Sequence, residues 1–306
     1  MSVPPRPDLR DGDVVLRLDE ARDGNAVSFV VEHGGQVAGM VEVRQMHGGN
    51  GELWWTVDPE HRGQGVADRA VRLLIRHAFD ELGLHRVETY ADPHDGASLR
   101  VAGRAGLRRE GLVRGSGQGE GERPTGHGAD RHDRVQLARL ATDPEPTSRD
   151  GFIGVLNAGL PTKRLIAQGL IRNHAGEILL CELTYKKEWD LPGGVVDPHE
   201  SPAQALVREI REELAVELLP RSLVAVNWLP RYRGWDDAML FVFDLGVDDQ
   251  VIARAHLEPN ELRSLHWCTP EQVEQSAAPY VTRMLSGLAH LPEGTAYLED
   301  GSDPVW

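Results

Sequence analysis

Glu209, Glu212 and Glu213 fall three and four residues apart in the stretch Gly194-Val-Val-Asp-Pro-His-Glu200-Ser-Pro-Ala-Gln-Ala-Leu-Val-Arg208-Glu209-Ile-Arg-Glu212-Glu213-Leu-Ala-Val216. On a helix that spacing puts three carboxylates on one face, and such a face binds a divalent metal: Mg²⁺ there neutralises the acids and can carry a pyrophosphate. The surrounding residues write the helix that must hold them. Ser201 caps its start, Pro202 fits the first turn, and Gln204 stands where its side chain reaches back to the cap amide. Gly193 and Gly194 let the preceding backbone turn sharply toward a ligand.

The spacing, a glycine, five residues, Glu200, seven residues and then Arg208-Glu209-Ile-Arg-Glu212-Glu213, resembles the Nudix box. Ala215 stands where that family usually has glycine, at a helix exit that needs positive φ, so strain of about 1 kcal/mol is expected there. The resemblance implies a Nudix α/β/α sandwich in which a metal-bound water cleaves a phosphoanhydride of a nucleoside diphosphate linked to another group. By position it makes Glu209, Glu212 and Glu213 the metal ligands or base, with Mg²⁺ (or Mn²⁺) the ion, and makes Glu200 and Arg208 the groups that orient them. Substrate recognition lies outside the box. Gly193 and Gly194 approach the ligand, and Trp189, Tyr232 and Trp235 are candidates to stack on a nucleobase, with core packing the competing role. Glu261, in Pro-Asn-Glu-Leu, reads as a solvated loop acid rather than an extra ligand.

A second glycine pattern lies in the first half. Arg62-Gly-Gln-Gly65-Val66-Ala67 sits between an apolar strand, Glu52-Leu-Trp-Trp-Thr-Val, and the helical repeat Val66, Ala70, Leu73, Leu74, Ala78. Glycines at a helix N-terminus let backbone N–H groups approach phosphate oxygens. Together with the strand Arg86–Tyr90 and Asp95-Gly-Ala-Ser98-Leu-Arg-Val-Ala-Gly-Arg-Ala-Gly-Leu107, the order resembles the GNAT acyltransferase superfamily, particularly its ribosomal-protein-acetylating branch. The resemblance covers roughly residues 12–141 and implies acetyl-CoA or another acyl-CoA as donor and an amine as acceptor. It assigns the CoA diphosphate to amides around Arg62, Gly63, Gly65, Val66 and Ala67, the leaving thiolate to Ser98, and a pantetheine contact to Asp95. Asp95 replaces the usual asparagine, and an ionised carboxylate offers no amide donor. Glu52, beginning its strand beside the acyl site, is the candidate general base. The segment before Val27 is shorter than the branch's usual acceptor-enclosing helices.

The fold expected is therefore α/β: a GNAT-like mixed α/β domain over 1–142, a breaker-rich, charged linker over 143–151, and a Nudix domain over 152–306. The 306 residues and 40% hydrophobic content suffice for two cores. Gly115-Ser-Gly-Gln-Gly-Glu-Gly-Glu-Arg-Pro-Thr-Gly-His-Gly reads as a mobile loop. His127, Asp130, His132 and Asp133 beside it lack metal-site spacing and read as solvated. Net charge is −15, with neither half positive, which excludes a general nucleic-acid footprint. Thirty arginines against three lysines are scattered rather than blocked. Cys181 and Cys268, each in an apolar strand-like context, read as buried thiols in a reducing compartment. With no apolar leader and no run of transmembrane length, the expectation is a cytoplasmic enzyme with small-molecule nucleotide and amine substrates and no membrane partner. Two other readings fit the same residues: a regulator that binds a nucleotide metabolite without cleaving it, and a Nudix hydrolase with a non-catalytic GNAT scaffold.

Overall fold

Alternating apolar residues build the first sheet from eight strands: β1 (Leu9–Asp11), β2 (Val14–Leu18), β3 (Ala26–His33), β4 (Gln36–Met46), β5 (Asn50–Val57), β6 (Arg86–Ala91), β7 (Arg108–Gln118) and β8 (Arg131–Leu140). This computed structural model describes residues 8–19, 24–118, 131–289 and 294–305. The chain divides into two units, Met1–Pro161 and Thr162–Trp306.

In the first unit the strand order is β1-β2-β3-β4-β5-β6-β8-β7. All neighbours run antiparallel except β5 and β6. Helices α1 (Val66–Asp80) and α2 (Gly96–Arg104) follow β5 and β6. Helix α1 buries Val66, Ala70, Leu73, Leu74 and Ala78, the residues of the helical repeat, against Leu53, Val41 and Val87 of the sheet. Each large apolar side chain so buried contributes about 1.5–3 kcal/mol.

The parallel pair has a short register: Asn50↔Arg86, Gly51↔Val87 and Glu52↔Glu88. Beyond it the Thr89 hydroxyl donates to the Leu53 carbonyl at 3.0 Å, and among the described residues no further β5–β6 partners occur. The strands therefore part after Leu53, leaving the β6-facing edge of Trp54–Val57 open.

Two expectations meet a different arrangement here. Gly115–Gln118, expected in the loop, finish β7 and pair with β8 through Gly117↔His132 and Gln118↔Arg131. Gly117 lies against the His132 ring, where an added Cβ would come within 2.2 Å of Nε2, so glycine serves the pairing rather than mobility. His132 and Asp133 lie on β8, and Asp133 accepts the Gly115 amide at 2.9 Å; His127 and Asp130 lie outside the described residues. The charged stretch placed at 143–151 is fastened to the first unit. Asp143 pairs with Arg108 at 3.1 Å and Glu145 with Arg139 at 3.2 Å. Ser148 then caps α3 (Arg149–Gly159), whose Gly151 packs on the Glu145 carbonyl. The division accordingly falls after Pro161.

The second unit contains β9 (Arg164–Arg172), β10 (Ile178–Leu183), β11 (Gly193–Val195), α4 (Pro202–Leu214), β12 (Ser222–Leu229), β13 (Ala238–Val247), α5 (Val251–Arg254), β14 (Leu262–Cys268), α6 (Pro270–Ser276), α7 (Pro279–Leu288) and β15 (Ala296–Glu299). Its sheet runs β14-β10-β9-β13-β12-β15, with β11 added on β9. Along β9, Ala167 and Ile171 join the core formed with α4 and α5, whereas Ile166 and Leu170 join the core formed with α6 and α7. Helices thus cover both faces, giving the expected α/β/α sandwich. Cys181 and Cys268 are free and buried. Among the described residues no helix is long and apolar enough to cross a membrane.

Candidate functional sites

Helix α4 begins as its sequence dictates. Ser201 Oγ accepts the Gln204 amide at 3.3 Å, and Gln204 Oε1 accepts the Ser201 amide at 2.9 Å. It ends on Ala215, which holds φ 55 and ψ 30, the left-handed region usually left to glycine. Leu206, Ile210 and Leu214 are buried, which fixes the rotation of the helix and turns the carboxylates toward β11.

Glu213 is 5% exposed, and its Oε2 accepts the Gly193 N–H at 3.0 Å. Burial, and then the neighbouring Glu209, Glu261 and Asp190, push its pKa up to about 8 against the pull of that amide. Burial also raises Glu209, more than the adjacent Arg208 lowers it. Gly194 makes room for this acid: a Cβ there would come within 2.5 Å of the Glu209 carboxyl carbon. Arg208 is the hub of the outer side. It donates to Glu200 at 2.6 Å, Glu209 at 2.9 Å, Glu212 at 3.0 Å and the Val195 carbonyl at 3.1 Å, and it holds the Glu200 carboxyl below the usual range.

Because Arg208 lies between Glu209 and Glu212 while Glu213 turns to Gly193, the three acids do not form a ready metal cage, and no such group occurs among the described residues. The donor set nevertheless fits a divalent ion. Hard carboxylate oxygens are gathered at a site whose burial disfavours their charge, and a cation relieves that cost.

The rim carries groups that the motif alone does not mark. Glu261 is exposed in the turn before β14, as expected of a loop acid, yet its charge reaches both Glu209 and Glu213; its carbonyl accepts the Thr184 amide at 2.9 Å. Tyr185 follows. It is largely exposed, and Glu213, Asp190, Glu261 and Glu209 lie within electrostatic reach of its hydroxyl. Trp189 stacks on His266 with centroids 4.0 Å apart and planes at 11°, so one of its faces is already taken. Tyr232 and Trp235 close the exposed turn between β12 and β13 through paired backbone bonds of 3.1 and 2.9 Å. Arg164 lies over the Trp235 ring at 4.7 Å and Arg233 over Tyr232 at 4.9 Å.

In the first unit, a cleft of about 430 Å³ brings together Arg62, Gly63, Gly65, Val66, Ala67, Asp95 and Ser98. Gly63 and Gly65 have φ of 75° and 72°, and an added Cβ at either would meet nothing within 4 Å: both face open space and are glycine for conformation. Asp95 is the N-cap of α2, accepting the Ala97 and Ser98 amides at 3.1 Å each. Ser98, through its side chain and then its amide, holds the Asp95 carboxyl below its usual range. The departure from asparagine therefore has a local use, since either residue caps a helix. Trp55, Thr56, Val57, His61, Arg100 and Arg104 also line the cleft. Arg100 and Arg104, one helical turn apart, carry a signal that could have been read; His61 carries none. Glu52 is not among the lining residues. It sits at the last paired position before β5 and β6 part, with Leu53 next to it turned into the core.

Comparison with known proteins agrees with this division. Residues 162–288 match the NUDIX domain, and residues 3–108 match the acetyltransferase (GNAT) domain. The CTP pyrophosphohydrolase of Escherichia coli is 34% identical over 104 residues, which cover 33% of this chain and 72% of the relative. A putative 8-oxo-dGTP diphosphatase of Bacillus subtilis is 31% identical over 117 residues, covering 38% of this chain and 74% of the relative. For the first unit, a probable N-acetyltransferase of Bacillus subtilis is 43% identical over 62 residues, which are 20% of this chain and only about a third (34%) of that relative's length. Among solved structures, RimJ of Mycobacterium smegmatis in complex with CoA-disulfide is 25% identical, covering 46% of this chain and 63% of that one, with a TM-score of 0.36. The chain belongs to the Nudix family through its second unit, and carries a GNAT acetyltransferase domain ahead of it.

Proposed function

We propose that the second unit hydrolyses a phosphoanhydride bond in a nucleoside diphosphate linked to another group, and that the first transfers the acetyl group of acetyl-CoA to an amine. The observation that carries the hydrolytic reading is Glu213: a buried carboxylate, raised to about 8, anchored by the Gly193 amide and flanked by Glu209. Glu209, Glu212 and Glu213 would hold Mg²⁺ (or Mn²⁺), which supplies charge compensation for the diphosphate and acidifies a bound water. Arg208 keeps Glu200, Glu209 and Glu212 in register, and glycine at 193 and 194 lets the backbone lie directly against β9 and the Glu209 carboxylate. Tyr232 and Trp235 are exposed, each with an arginine on one face, and offer a stacking surface for a base, more so than Trp189, which stacks on His266 and packs partly buried against the core. Two matched relatives are named for nucleotide substrates, CTP and 8-oxo-dGTP, which favours a nucleotide here too.

For acetyl transfer, the amides of Gly63, Gly65, Val66 and Ala67 at the α1 N-terminus receive the CoA diphosphate, with Arg62 beside them. The parted strands leave the edge of Trp54–Val57 for the pantetheine amides, and Glu52 at their point of separation serves as base for an amine approaching from the face opposite α1 and α2. Ser98 stands at the cleft as donor to the leaving thiolate. Two free, buried thiols, with Cys268 pushed up to about 11, suit a reducing cytoplasm.

The test is to incubate the full-length protein with a panel of nucleoside di- and triphosphate compounds and Mg²⁺, and to follow the products by mass spectrometry. Cleavage that requires Mg²⁺ and collapses in Glu213→Gln supports the reading; cleavage without metal, or full activity in that variant, removes it. Calorimetry with acetyl-CoA decides the first unit in the same way.

A further inference from the structure

Behind the glycine turn that meets Glu213 lies a buried polar cluster that the motif does not contain. Asp190 is 5% exposed and Gln168 4% exposed. Asp190 Oδ1 accepts Gln168 Nε2 at 2.8 Å, the Leu191 amide at 2.9 Å and the Tyr280 hydroxyl at 2.8 Å; its Oδ2 lies 2.9 Å from the same hydroxyl and accepts from Lys186. Gln168 Nε2 also reaches the Leu191 carbonyl and the Tyr280 oxygen, each at 3.3 Å. Because a carboxylate only accepts, the amide must present its NH₂ group to Asp190. Gln168 Oε1 is left buried without a partner. The amide thus forgoes one of its own hydrogen bonds to hold Asp190, while burial and then Asp190 keep the Tyr280 phenol protonated as a donor.

The cluster is joined to the carboxylate site by three residues of backbone. Gln168 on β9 is the register partner of Gly193, and the neighbouring Gly169 amide donates to the Pro192 carbonyl at 2.9 Å. Gly193 has φ 129, and a Cβ there would strike the Ala167 carbonyl at 2.2 Å, so this turn has no slack toward β9. Its amide then meets Glu213 Oε2. We propose that Asp190, clamped by Tyr280 of α7, Gln168 of β9 and Lys186, is a positioning residue that sets the Gly193 amide against Glu213 from the opposite face of the sheet. The C-terminal helix α7 thereby takes part in shaping the metal-binding edge. The inference rests on the hydrolytic reading of the second unit.

The test uses the full chain and Tyr280→Phe, which keeps the ring and removes the donor. Hydrogen exchange resolved to the Gly193 amide, in protein without metal or substrate, is expected to quicken at least about tenfold. With CTP as probe, kcat falls about ten- to a hundredfold and the Mg²⁺ concentration for half-activation rises about tenfold, while KM for the nucleotide stays. Lys186→Met, which removes a partly exposed donor without touching the core, gives the same pattern at about three- to tenfold and serves where Tyr280→Phe does not fold. Faster exchange confined to α7, with Gly193 and the Mg²⁺ dependence unchanged in either variant, assigns the cluster to packing and overturns the proposal. If the wild-type protein cleaves no nucleotide, the hydrolytic reading fails on its own, and the exchange of Gly193 still decides the positioning.

Discussion

On the proposed reading both units receive a diphosphate, yet their linings differ in charge. In the first, the cleft is lined by the start of α1 and by Arg62, Arg100 and Arg104, with Asp68 paired to Arg104 and Asp95 spent on the cap of α2. In the second, Glu209, Glu213 and Glu261 act on one another, with Glu212 held beside them by Arg208. The contrast teaches that the local sign of charge decides what must accompany the ligand. On that reading a diphosphate would enter the cleft beside Gly65 unescorted, because oriented N–H groups and guanidinium groups complement it. It would not approach Glu213 without a cation that neutralises the carboxylates.

The sharpest way to break this comparison is to remove the acid that is most buried. Glu213→Gln should lower nucleotide hydrolysis by about 10²–10³-fold, while acetyl-CoA binding by calorimetry stays unchanged. A chelator should do the same to the wild type. Hydrolysis that survives either treatment, or CoA binding that is lost with the metal, would show that the two sites do not differ in the way their charges suggest.

A pH titration of stability follows in size. Glu213 has an ordinary pKa of 4.5 when unfolded and about 8 in the folded, metal-free protein. Between those values the folded chain keeps a proton that the unfolded chain has released. Its contribution to stability is full below about pH 4.5, is lost as pH rises through 8, and is flat above. The loss should amount to about 5 kcal/mol. Urea denaturation of wild type minus Glu213→Gln across pH 5–9 isolates this term, because the glutamine cannot titrate. Added Mg²⁺ should flatten the difference, and a difference already flat without metal would mean that Glu213 is not held in an uncompensated site.

Gly65→Glu examines the other side. It places a negative charge at an amide-lined helix start and forces a side chain into φ 72, so CoA affinity should fall at least about tenfold, together with about 1–2 kcal/mol of stability. Gly65→Asn separates the two effects, since asparagine tolerates the left-handed region and adds no charge. Equal loss of affinity in both variants would assign the defect to the backbone.

How much of this was legible in the sequence depended on distance along the chain. The carboxylate helix was written locally: spacing of three and four, Ser201 with Gln204, and Ala215 where positive φ was needed. The glycine turn at 62–67 was likewise local, its residues lining one cleft. What stayed hidden was non-local. Tyr280 meets Asp190 across 90 residues, and no periodicity predicts that pair. Glu261 joins Glu213 only because β10 and β14 pair and bring Thr184 to the Glu261 carbonyl. The expected division at 143–151 failed to foresee α3 for a related reason: charges that look solvated in sequence, Asp143 and Glu145, find arginines on β7 and β8.

The smallest expected effect bears most directly on charge. Asp95 brings a carboxylate to a cleft whose other lining acid, Asp68, is already paired with Arg104, and it is kept ionised by its Ser98 and Ala97 contacts. An asparagine in its place would keep both amide bonds at the start of α2, because asparagine caps as well as aspartate, and would lose only the favourable interaction of a charge with the helix dipole, about 0.3–1 kcal/mol. In exchange the phosphates would no longer face that carboxylate, and the side-chain amide would regain a donor for pantetheine. Asp95→Asn should therefore bind acetyl-CoA about threefold more tightly by calorimetry, with the gain shrinking as salt is raised from about 20 to about 300 mM. A gain that ignores salt points to the regained amide donor; no gain at all means that the carboxylate is spent on its own helix and the cleft's charge is set by the arginines alone.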